Sequence, residues 1–128
     1  MADAQVKAAI TGREALTVSV IIGDGVAGYW NIALHEDGRV MRRWEGRSDD
    51  ALTDAVFFEA GALNPDRHSI TWSVVLYGPA RKAPFHVEVT ATEGRRDVLS
   101  APVRLRGEVE ARKTATLSGS IDIDAVRS

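Results

Sequence analysis

From His68 to Tyr77 the chain alternates without a break. Ile70, Trp72, Val74 and Leu76 fall on one side of an extended chain, and Ser69, Thr71 and Ser73 on the other. A period of two, rich in β-branched and aromatic residues and closed by Gly78-Pro79, predicts a β-strand with one buried face. The same alternation recurs in Leu16, Val18, Val20 and Ile22, which stop at Gly23-Asp24-Gly25, and in Phe85, Val87, Val89 and Ala91, which stop at Glu93-Gly94. The Phe85 strand is expected to pair with the His68 strand. Val6, Ala8 and Ile10 make a short edge strand, and residues 1–5 read as a flexible tail.

Trp30, Ile32 and Leu34 form another apolar row, and Glu36-Asp37-Gly38 turns the chain back into Arg39 to Glu45. In this hairpin a two-residue turn would set Leu34 against Met41 and Trp30 against Glu45. A three-residue loop with Gly38 left-handed in a bulge sets Leu34 against Val40 and Trp30 against Trp44, so it is the expected register. Arg42 then lies on the apolar face opposite Ile32, with its guanidinium placed to stack on an indole.

Between Gly46 and Asp66 the pattern weakens. Ser48-Asp49-Asp50-Ala51 resembles a helix start, whereas Val56-Phe57-Phe58 favours extended chain, so 49–60 is either one short helix or a strand. Odd-numbered apolar positions run from Leu99 to Ile123. Pro102 marks where that strand proper begins, and a single strand of such length is excluded. The chain breaks near Arg112-Lys113, by an odd-length connection or a crossover to a second sheet. These segments amount to about seven to nine strands. They predict an all-β domain built as an antiparallel two-sheet sandwich over residues 1–128, with a closed barrel as the alternative.

Composition adds limits. The 128 residues are 45% hydrophobic and 27% charged, as in an ordinary soluble domain. No apolar run approaches the ~20 residues of a membrane-spanning helix, and Met1-Ala2-Asp3 opens no signal peptide. With no cysteine, disulfide and thiolate chemistry are excluded and a cytoplasmic location is expected. A net charge of −2 argues against nucleic acid as a partner.

Candidate chemistry is sparse. Gly23 to Gly28 reads G-x-G-x-x-G, but the residues after it, Tyr29 to Glu36, alternate as a strand does and do not form the helix a dinucleotide fold requires. His35, His68 and His86 have no metal-ligand spacing, and the loop aspartates form no D-x-D-x-D-G series, so no metal or cofactor is expected. Ser69 beside His68 points to the opposite face and makes no catalytic pair. Asp122 and Asp124 share a strand face, where solvation explains them. Arg104 and Arg106 interleave with Glu88, Glu108 and Glu110 as cross-strand ion pairs would.

The sequence therefore reads as a non-catalytic binding or assembly module. It would act on a protein partner, or on its own copies, through loops or an exposed sheet edge. The alternative is a carbohydrate or small-ligand binder in which Trp30 and Trp44 stack on the ligand beside Arg42 and His35.

Overall fold

A computed structural model describes residues 3–23, 26–48 and 53–126, and every regular element among them is a strand. The strands are β1 (Asp3–Ile10), β2 (Leu16–Gly23), β3 (Ala27–Glu36), β4 (Arg39–Ser48), β5 (Thr53–Phe58), β6 (His68–Tyr77), β7 (Ala83–Glu93), β8 (Arg96–Asp97), β9 (Val103–Val109) and β10 (Thr114–Ala125). They form two sheets that do not close into a barrel. The first has the order β1-β10-β6-β3-β4; the second has β5-β2-β7, with β8 and β9 both pairing onto β7. Of these strand pairs, β1 with β10 is parallel and the others are antiparallel.

The two sheets share one core. Ile32, Ile70, Val74, Leu76 and Ile121 from the first meet Val18, Val20, Ile22 and Val87 from the second, all essentially inaccessible to water. The alternating rows in the sequence are what places them there, since strands such as β2, β6 and β7 bury one side-chain parity.

Several expectations change. Consecutive strands mostly lie in opposite sheets, so β7 pairs with β2 and β9 and not with β6. The segment 53–58 is an edge strand and not a helix, while residues 49–52 lie outside the described ones. The tail expected over residues 1–5 is already strand from Asp3, held in register with Ser118 to Ser120. The break before β10 is a crossover between sheets, one of the two solutions expected, and Pro102 immediately precedes β9.

The β3-β4 register also differs. Asp37 and Gly38, with φ of 52° and 83°, make a two-residue turn of the primed type. A bulge between Leu34 and His35 then shifts the pairing, so that Ile32 faces Trp44, Leu34 faces Arg42 and Trp30 faces Gly46. The bulge thus replaces the longer loop and returns Trp44 to the apolar face. Gly46 is required there: a Cβ would stand 2.5 Å from the Trp30 indole. The same arrangement pairs Trp72 with Gly119 and Phe85 with Gly107, each aromatic ring covering the glycine opposite it.

Candidate functional site

The four residues singled out in the sequence divide between two faces. Trp30 is 6% exposed and belongs to the core. Trp44 lies on the same inward side nearer the open edge, edge-to-face with Phe58 at 5.2 Å between ring centroids. Arg42 stacks on Trp44, its guanidinium carbon 4.9 Å from the ring centroid, so the cation–π contact expected of it is present. His35 is on the opposite, outward face, where its Nε2 lies 2.8 Å from Thr71 Oγ1. The structure brings Trp44 and Arg42 together and separates both from His35.

That outward face of the first sheet carries an open groove of about 560 Å³. Register sets rows of side chains across it. Arg43, Ala33, Thr71, Ser120 and Gln5 form one row from β4 to β1, and Asn31, Ser73 and Ser118 lie in the next. Four spacings of ~4.8 Å separate β4 from β1, so the groove crosses about 19 Å of sheet. Its lining combines the hydroxyls of Thr71, Ser73, Ser118 and Ser120, the amides of Asn31 and Gln5, the imidazole of His35 and the guanidinium of Arg43 with the apolar side chains of Ala33 and Val40.

The groove exists because its floor is small. Serine and alanine are weak strand formers compared with the threonine, tyrosine and β-branched residues that usually cover an exposed sheet. Here they leave the backbone of Trp72 and Gly119 at the floor. The outward face of the second sheet is built differently. Arg104 reaches Glu88 at 3.5 Å as the interleaved charges predict, whereas Glu108 is met by Lys82 at 2.8 Å and Arg106 has no ion pair with a described residue.

Outside the lining the same face carries aromatic and charged side chains. Tyr29 lies two residues before Asn31 on the same face, and the half-exposed Tyr77 lies near it. A hydrogen bond from the Tyr29 hydroxyl to Glu45 raises the phenol above its ordinary pKa, with burial and the Glu45 charge adding to the effect. Gln5 Nε2 donates to Asp122 at 3.4 Å. Arg43 has no ion pair with any described residue.

Among the described residues one ionised group is buried. Glu93 continues the inward parity of β7, is 2% exposed, and accepts from Thr11 N at 2.9 Å, Thr11 Oγ1 at 2.9 Å, Gly12 N at 2.8 Å and Arg96 Nη2 at 2.9 Å. Burial acts to raise its pKa, but these bonds outweigh it and hold the carboxyl below the ordinary value. The whole donor set serves to fasten the β1-β2 turn to the end of β7, so Glu93 is structural.

Among the described residues no group of three His, Asp or Glu side chains is arranged to hold a metal ion. No helix among them is long and apolar enough to cross a membrane. Sequence reasoning found His35 but missed Arg43, Asn31, Gln5 and the serines. The usable signal was the run of small polar residues at outward positions, Ser69, Thr71 and Ser73 on β6 and Ser118 and Ser120 on β10. No family model matches the chain, and no curated protein or solved structure matches it either.

Proposed function

We propose that this chain is a non-catalytic binding module that receives a hydroxyl-rich ligand, a saccharide, in the groove across the first sheet. The observation carrying this reading is the lining itself. Hydroxyls both donate and accept, amides do the same with fixed geometry, and together they match a ligand bearing many hydroxyl groups. Tyr29, two residues from Asn31 on the same outward face, offers aromatic surface next to the lining. The volume lies inside the roughly 300–1,000 Å³ usual for ligand pockets. The described lining contains no carboxylate, which supports holding over acid–base work on a glycosidic bond.

A glycan array followed by amide-shift mapping tests the proposal. Binding should perturb the amides of Thr71, Ser73 and Ser120, and Ser73→Trp should block it while leaving the melting midpoint in place. Array hits whose shifts map elsewhere, or that survive Ser73→Trp, would remove the groove from consideration.

Assembly through a sheet edge, with a protein partner or a second copy, rests on a different observation. Phe57 is 72% exposed on the edge strand β5. If Phe57 mediates contact, wild type sediments above the monomer mass at high micromolar concentration and Phe57→Ser does not. Identical monomeric profiles count against it.

A further inference from the structure

Among the described residues lining the groove, Arg43 is the one that carries a permanent charge, and it forms no ion pair with a described residue. It stands across from Ala33, which pairs in turn with Thr71. The two carboxylates at the margins are otherwise engaged, Glu45 by the Tyr29 hydroxyl and Asp122 by Gln5. A guanidinium is a planar fork of donors matched to a carboxylate, and a neutral sugar uses only part of it.

Resting on the saccharide reading above, we infer that the ligand is acidic: an oligosaccharide carrying hexuronate carboxylates, one of which sits on Arg43. The remaining rings extend along the row toward Gln5. Thr71 and Ser120 lie within that row, and Asn31 and Ser73 flank it, all placed to bond the sugar hydroxyls. A span of about 19 Å from β4 to β1 suits a short chain of rings better than a single one. The charge partner and the hydroxyl partners are thus at different points of one groove, so they are separable by mutation.

The experiment is titration calorimetry with a panel of uronate trisaccharides, galacturonate, glucuronate and mannuronate, each alongside its carboxyl-reduced neutral counterpart, with amide shifts recorded for each. At least one acidic trisaccharide should bind about ten-fold or more tighter than its neutral counterpart. Arg43→Gln should lower the affinity for the acidic form to about that for its neutral counterpart and so abolish the preference, and raised salt should act in the same direction. Equal affinity for acidic and neutral forms, or a preference that survives Arg43→Gln, overturns the inference and leaves the saccharide groove standing. If no member of the panel, acidic or neutral, shifts the amides of Thr71, Ser73 and Ser120, the inference and the saccharide reading fall together.

Discussion

Glu93→Gln keeps the shape of the side chain and removes its charge, so it isolates what the buried carboxylate does. One oxygen remains as an acceptor, but the amide nitrogen replacing the other meets the N–H groups of Thr11 or Gly12. A buried donor left unsatisfied costs about 1–3 kcal/mol, and losing the charge on the surviving bonds adds about 1 kcal/mol. Arg96 adds little, since its side chain is half exposed. The expected loss is about 3 kcal/mol, or about 10 °C in Tm for a chain of this size. The pH dependence sharpens the test. The folded carboxyl titrates below the ordinary value of 4.5 to which it returns on unfolding, so its contribution is fully present above about 4.5. It is lost as pH falls through the depressed folded value. Urea denaturation followed by tryptophan fluorescence should show a constant gap between wild type and variant from pH 7 to 5 that narrows below it. A variant as stable as wild type at pH 7, or a gap unchanged at pH 3, would refute the reasoning.

Three further outcomes are expected. Gly46→Ala forces a Cβ against the Trp30 indole and should cost about 2 kcal/mol by overpacking, with a change in near-ultraviolet circular dichroism; an unaltered melt and spectrum would mean that the ring moves aside freely. Gly38→Ala should cost about 1 kcal/mol in a thermal melt, because φ of 83° suits glycine, although the added methyl meets open space. In single-tryptophan variants, acrylamide should quench Trp44 and leave Trp30 and Trp72 shielded; efficient quenching of Trp30 would contradict its burial.

The strands were legible because burial on one face imposes a period of two, and residues such as Ile70, Trp72 and Val74 keep it without error. Pairing was less so. Parity says which face a residue occupies but not which neighbour lies alongside, so nothing in Phe85 to Ala91 distinguished β6 from β2 as partner. The β3-β4 register failed for a related reason: Asp37-Gly38 fits a two-residue turn, and the bulge that reconciles it with the apolar row leaves no residue-type mark. Segment 53–58 carried opposing signals, and tertiary pairing with β2 decided for strand. The groove was unread because Ser73, Ser118 and Arg43 come together only through strand order, and Glu93 because its charge masked the inward parity it shares with Ala91.

The three aromatic–glycine pairs bear on which misfolded pairings the chain can reach. A slip of two residues is the smallest that keeps apolar faces inward. It would bring Trp72 against Leu117 or Ile121, Phe85 against Leu105 or Val109, and Trp30 against Trp44 or Ser48, instead of the glycines that admit their rings. Each glycine thus acts as a keyhole cut for one ring. The weak strand propensity of Gly46, Gly107 and Gly119 is offset by the exclusion of neighbouring alignments, which hydrophobic patterning by itself would leave nearly equivalent.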